Sequence, residues 1–391
     1  MSIKETLKKA ASGMKRKAHG AQEPECIREH KRIPSTAQRG DSPAQQFIQR
    51  SLEVRASPHV HSGRDVPTIM RHVVYALLPV CAFSVWQYGL SAIALIGTVT
   101  LSCLAAERIA NRLSGTVNTL SDWSATITGV LLALTLPPAF PLWMAAVAGF
   151  TAIWLGKSLF GGLGHNPFNP ALVGRAFVQA AFPAAISTWA PAFAPQRFTE
   201  FIPSTLTLPL MQPNDLSAWI AAATVDSFTG ATPLARWKFE HFVYPVQDLL
   251  TGMSSSSAGE SSTILLLLCG LYLIARRFMD WRIPVAVIGS ALLLALAFHG
   301  FDPNEYPPAH LVLLSGGLVL GALFMATDMA TSPVTPRAVW VYGALIGTVT
   351  IVIRYYGGLT EGVMYAILFG NAAAPLLDKY LQPKVFGAKP K

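Results

Sequence analysis

Residues 226–233 read Asp226-Ser227-Phe228-Thr229-Gly230-Ala231-Thr232-Pro233. Gly230 and Ala231 present little side-chain bulk, and Pro233 disfavours helical geometry at Thr232. The Thr232 hydroxyl is therefore expected on an extended, accessible segment, where another enzyme could modify it. Taken alone the string is an ordinary turn, since a Ser/Thr-Gly-Ala-Thr match arises by chance in about one or two chains per hundred of this size. A second chemical signal is the run Gly161–Pro170, whose glycines and prolines cannot continue a regular helix. Its amides, Asn166 and Asn169, offer donors and acceptors suited to a neutral polar ring system, or they cap helix ends. Asp328, Glu361 and Asp378 adjoin apolar runs, where ionisable groups are costly and often functional. For Asp328 the plain reading is a loop-helix cap. For Glu361 it is a complement to a helix N-terminus, and for Asp378 a pairing with Lys379. Cys26, Cys81, Cys103 and Cys269 form no CxxC pair and read as small apolar residues. The histidines show no metal-ligand spacing. No Walker motif, hydrolytic triad or dinucleotide fingerprint is present, so the chain is not expected to bind NAD itself.

The elements around these residues are apolar blocks of membrane-crossing length. Ten spans are expected: Val73–Gln87, Leu90–Ala106, Ala125–Leu136, Leu142–Leu155, Ala171–Trp189, Thr263–Ala275, Ile283–Phe298, His310–Met325, Ala338–Ile353 and Glu361–Leu377. The organisation is then a basic extension over 1–64, a first membrane half over 65–189, a long loop over 190–262, a second half over 263–378 and a basic tail over 379–391. Broken backbone at membrane depth is tolerated only where protein buries it or a cavity needs lining, which bears on Gly161–Pro170. Gly161-Gly162-Leu163 recurs as Gly357-Gly358-Leu359 five spans later, a faint sign of two inverted five-helix halves.

Composition supports this reading. The chain of 391 residues is 52% hydrophobic and only 13% charged, about half the charged share of a soluble domain. The net charge of +9 does not indicate nucleic acid, because residues 1–64 hold 13 Lys+Arg against 6 Asp+Glu. That excess reads as a topology signal and a contact for anionic membrane lipid. The opening residues form either a basic amphipathic helix on the membrane or a disordered tail, and no secretory signal peptide is evident. With the N-terminus cytoplasmic, Arg108, Arg112, Lys157, Arg276, Arg277, Arg282 and Arg337 fall in inside loops. Outside loops hold Asp302, Glu305 and Arg354. Both termini are then cytoplasmic, and 190–262 lies outside.

Residues 226–232 resemble the D-x-x-S/T-G-A-T flavinylation sequence of two related membrane proteins. These are the D subunit of Rnf-type ferredoxin:NAD+ oxidoreductases and the B subunit of sodium-translocating NADH:quinone oxidoreductases. The resemblance spans most of 57–387. It takes in Ser57-Pro58-His59, Thr128–Leu132, Leu136-Pro137-Pro138, Gly161–Ala171, Ala326-Thr327-Asp328, Thr331-Ser332-Pro333 and Glu361-Gly362. The ending Asp378-Lys379-Tyr380 with Gln382–Gly387 resembles the D subunit. The N-terminal extension, Asn169–Leu172 and Gly174–Phe177 resemble the B subunit, and the D type is favoured. The resemblance implies FMN held by a phosphoester on Thr232 within the Asp226, Thr229, Gly230, Ala231 motif, installed outside by a flavin transferase. It also implies a non-covalent riboflavin near Asn166, Asn169 and Asp328, and ion-pathway roles for Glu361 and Asp378. The implied setting is a multi-subunit electron-transport complex in a bacterial inner membrane, with partners supplying the iron–sulfur and nucleotide sites. A competing reading from another class is a solute transporter or channel without redox chemistry.

Overall fold

A computed structural model describes residues 65–115, 119–209, 211, 216, 219, 232–252, 256–260, 262–358 and 361–383. The extension 1–64, most of the basic tail 379–391 and four motif residues (Asp226, Thr229, Gly230, Ala231) lie outside them. Among the described residues every regular element is helical, and none is a strand.

The described chain begins with α1, Val66–Tyr88, which Pro67 starts without losing a needed N–H and Gly89 ends at φ 66°. Next come α2, Leu90–Ser114, closed by left-handed Gly115, α3, Ser124–Thr135, and α4, Leu142–Gly156. The helix α5, Pro170–Ala181, has Pro170 in its first turn and Asn169 as its N-cap. It stops at Phe182, and Pro183 opens a separate short α6, Pro183–Ile186. The expected continuous span Ala171–Trp189 is therefore two pieces. Two short helices lie in the long loop: α7, Pro233–Glu240, and α8, Val246–Thr251.

After the loop comes α9, Thr263–Ala275, at the bounds read from the sequence. It continues with α10, Arg282–Phe301. The expected span His310–Met325 is broken. It consists of α11, Ala309–Leu314, an interruption at residues 315–317, and α12, Leu318–Leu320, running into a π-helical turn Gly321–Met325. Hydropathy missed the break because glycines interrupt a helix without lowering its apolar character. The chain ends in α13, Pro336–Tyr356, and α14, Val363–Tyr380.

Five segments are long and apolar enough to cross a membrane: α1, α2, Leu142–Phe160, α10 and α13. The shorter apolar α3 and α9 have 12 and 13 residues, about 18–20 Å against a hydrocarbon core of about 30 Å. Leu78, Leu101, Leu268 and Leu293 are each more than half exposed on these helices. Apolar surface on that scale suits lipid rather than water.

Packing pairs recur along the chain. Helix α2 packs on α4 and α4 on α5; α10 packs on α13 and α13 on α14. Between helices in lipid, close backbone approach replaces hydrophobic drive. A Cβ at Gly347 of α13 would lie 2.4 Å from the Val287 carbonyl of α10, and one at Gly149 of α4 would lie 2.8 Å from the Val99 carbonyl of α2. Tyr342 of α13, fully buried, donates to Asn371 Oδ1 of α14 at 2.8 Å.

The helix ends sort into two groups. At one end the long loop is pinned to the bundle. Leu90 N–H donates to Arg197 O, Leu142 N–H to Thr205 O, Gln87 Nε2 to Gly252 O, and Lys238 Nζ to Gly357 O. At the other end the His72 ring packs at a tilt on Phe278, Asn169 Nδ2 donates to Met325 O, and Asp378 accepts from Val334 N–H.

Candidate functional site

Two polar sites are built into the bundle, and both sit where helices stop short. The first is an open-mouthed cavity of about 780 Å³ at the end holding the Gly161–Pro170 turn. Its apolar walls come from α1 (Met70, Val73), α3 (Ile127, Leu131), Phe278, Met279 and Phe324; its polar groups are Ser124, Thr128, Lys157, Asn166, Asn169, Thr327 and Asp328.

The turn that carries the two asparagines depends on positive φ at Gly161, Gly162 and Gly164. Asn166 Oδ1 accepts from Gly164 N–H at 3.2 Å, and its Nδ2 donates to Phe168 O at 3.1 Å. Asn169 Oδ1 accepts from Ala171 N–H at 3.0 Å, capping α5, and its Nδ2 reaches Met325 O at 3.2 Å. Each amide is thus oriented by the fold. Each keeps one further N–H and one further lone pair for a ligand. Lys157, buried at the cavity wall, pairs with Glu107 at 2.6 Å and donates to Ser124 Oγ at 2.5 Å. Part-buried Asp328 accepts from Thr331 Oγ1 at 3.3 Å and from Ala330 N–H at 3.4 Å. Burial raises its pKa above the usual carboxylate value, and these two hydrogen bonds oppose the rise.

The second site lies at the break in α11–α12. Arg175 of α5 pairs with Glu361 at 2.8 Å. Glu260, from the segment before α9, lines the same cavity of about 370 Å³ with Thr135 and Gly317. Arg354 of α13 is 5% exposed and donates to Val312 O at 2.5 Å and Ser315 O at 3.3 Å, capping the carbonyls that α11 leaves free. On the other side, Gly259 and Ala258 N–H donate to Leu134 O and Leu136 O, closing the end of α3. The sequence expectations change here in two places. Glu361 does not serve a helix terminus: α14 begins at Val363, and the Glu361 carboxylate turns to Arg175. Arg354, read as an outside-loop cation, is buried inside α13.

Asp378 does not pair with Lys379. It accepts from Val334 N–H at 3.0 Å and Thr335 N–H at 2.9 Å, tying the end of α14 to the start of α13. Neighbouring residues on a helix diverge by about 100°, so a pairing guessed from adjacency had no geometric basis.

Thr232 has extended geometry, φ −67° and ψ 158°, and caps α7 by accepting from Ala235 N–H at 3.3 Å. The backbone is the one Pro233 demands. The hydroxyl is not displayed, however: Thr232 is 2% exposed. Sequence reasoning missed Glu260 and the cluster that it joins. Arg175 inside an apolar run was the available signal; Glu260, in a polar loop, gave none.

The fold and these buried polar sites define a helical membrane protein with cavities at interrupted helices. Its sequence matches the NQR2, RnfD, RnfE family over residues 53–387, and the chain belongs to that family. Among its relatives is the D subunit of the proton-translocating ferredoxin:NAD(+) oxidoreductase complex of Clostridium ljungdahlii. It is 36% identical over 354 residues, which is 88% of this chain and 98% of that one. The D subunit of the Na(+)-translocating ferredoxin:NAD(+) oxidoreductase complex of Acetobacterium woodii is 38% identical, covering 86% and 96%. The D subunit of the ion-translocating oxidoreductase complex of Halorhodospira halophila is 36% identical, covering 86% and 95%.

Proposed function

We propose that this chain is the D-type membrane subunit of an ion-translocating ferredoxin:NAD+ oxidoreductase. It would carry flavin within the electron path and act only as part of the complex. The observation that carries this is near-full-length similarity to D subunits of such complexes from two organisms, and to the D subunit of an ion-translocating oxidoreductase complex from a third. The B subunit of a quinone-reducing relative is the less favoured assignment. The redox-free transporter is set aside, because the relatives are oxidoreductase subunits.

The residues suit two flavin positions. Thr232 supplies a hydroxyl at a helix N-terminus, where backbone dipoles favour a phosphate. Its burial means that the cover over it must open for a transferase to reach the oxygen. Asn166 and Asn169 leave one donor and one acceptor each toward the larger cavity, and Phe278 and Phe324 supply apolar walls for a flat ring. FMN at Thr232 and riboflavin in that cavity would supply one- and two-electron redox chemistry. Asn169 would orient the ring through its fixed amide, and the Asn169–Met325 bond would keep the cavity floor rigid. Lys157, neutralised by Glu107, would stay a donor rather than a free charge.

The topology that goes with this role is ten crossings in two inverted halves. The packing of α2 on α4 and of α4 on α5, repeated by α10 on α13 and α13 on α14, supports it. So does the match between the short third crossing, α3, and the broken eighth. The N- and C-termini and the larger cavity then lie in the cytoplasm, and 190–262 in the periplasm, within reach of a flavin transferase.

The test is a denaturing gel of the complex, purified from a host with the transferase and viewed under ultraviolet light. The chain should fluoresce, and Thr232→Ala should be dark. A dark wild-type band would remove the covalent flavin from the proposal.

A further inference from the structure

The charge cluster at the helix break belongs to neither flavin position. Glu260 is 7% exposed, and its Oε2 is buried without a hydrogen-bond partner among the described residues. The same holds for Glu361 Oε1, Arg175 Nη1 and Arg354 Nε around it. The two cations are otherwise engaged, Arg175 with Glu361 and Arg354 with two carbonyls. Glu260 is thus the acid of the cluster with no ion pair of its own among those residues. The break is shaped for these groups. A Cβ at Gly317 would lie 2.6 Å from Glu260 Oε1, and one at Gly316 would lie 2.9 Å from Arg354 Nη2.

We infer that Glu260 is a proton-binding site, its carboxylate taking up one proton from the cavity and releasing it again without any metal ion. With every group ionised the four side chains sum to zero charge. A bound proton leaves the cluster at +1, the charge residing on guanidiniums that already have acceptors. A sodium ion would need several oxygen ligands beside the same two guanidiniums, and the second carboxylate is already taken by Arg175. Burial first, then the Glu361 charge, pushes the Glu260 carboxyl up to about 8, against the lowering influence of Arg175, the Ser257 hydroxyl and Arg354. The other lining residues, from Thr135 of α3 to Met364 of α14, do not titrate. The inference stands on this cluster alone and does not depend on flavin attachment.

The experiment is infrared difference spectroscopy of the complex in nanodiscs, titrated through the neutral and alkaline range. Wild type should show a protonated-carboxyl C=O band that Glu260→Gln removes and Glu260→Asp retains at a shifted frequency. Glu361→Gln should move its midpoint to lower pH, because a raising charge is lost and Arg175 is freed. Added sodium at fixed pH should leave the band unchanged. If the band survives in Glu260→Gln, ignores Glu361→Gln, or disappears on adding sodium, the proton site is overturned. Should Glu260→Gln fail to assemble, the Glu361→Gln shift and the sodium arm still decide it.

Discussion

At Thr232 one side chain does two jobs. It caps α7 through Ala235 N–H, and it offers the oxygen that a phosphoester would use. Thr232→Ala should therefore lose the flavin label and also cost about 0.5–2 kcal/mol of local helix stability. Thr232→Ser should keep both, measured by in-gel fluorescence and thermal unfolding. Asp378 gives a cleaner test of position over adjacency. Asp378→Ala removes the acceptor for the Val334 and Thr335 N–H groups ahead of α13 and should cost about 1 kcal/mol, whereas Lys379→Ala should leave the melting temperature unchanged. Glu260 has a pH signature. Its folded-state pKa stands above its ordinary 4.5, at about 8. The stability linked to its proton is full below about 4.5 and is lost as pH rises through about 8. Glu260→Gln should flatten that part of the stability profile, and a steeper alkaline loss in the variant would contradict the assignment. At this scale the sequence revealed what bonds along the chain impose. Pro233 dictates the Thr232 backbone, and Pro170 the Asn169 cap. Burial of Thr232 depends on distant packing, and the Arg175–Glu361 pair joins residues 186 apart in the chain, which no local pattern encodes.

Helices were legible where hydropathy and caps agree. Thr263–Ala275 was bounded correctly because Ser262 caps it and apolar residues fill it. The eighth span failed because glycine breaks a helix while leaving its mean hydropathy high. Those breaks hold the second polar cluster: α3, α11 and α12 stop short, and carbonyls at the ends of α3 and α11 are met by Gly259, Ala258 and Arg354. Elsewhere close approach governs. Gly347→Val would push carbon into the Val287 carbonyl and Ser290 of α10, an overpacking cost of about 1–3 kcal/mol. Thermal unfolding in detergent should show it, while Gly97→Ala, with nothing within 4 Å of the added carbon, should be neutral.

For the whole molecule, the membrane class was written in composition, and the proposed orientation rests on the distribution of basic residues. The described parts of 190–262 gather at the end opposite Gly161–Pro170, as the proposed orientation requires. In a cysteine-free background, Glu305→Cys should react with an impermeant reagent from the periplasmic side only, and His165→Cys from the cytoplasmic side only. The reverse pattern would invert the topology and strand Thr232 away from any external transferase. The proposed repeat of short and broken crossings has only the paired glycines as its sign in the sequence, since inverted halves would share packing geometry more than residues.

The most direct measurement is peptide mass spectrometry of this chain within its purified, active complex. The peptide containing Thr232 should carry the mass of FMN joined through phosphate, in a preparation that holds the ferredoxin- and NAD-reacting subunits. An unmodified Thr232 peptide in that active preparation would contradict the flavin assignment.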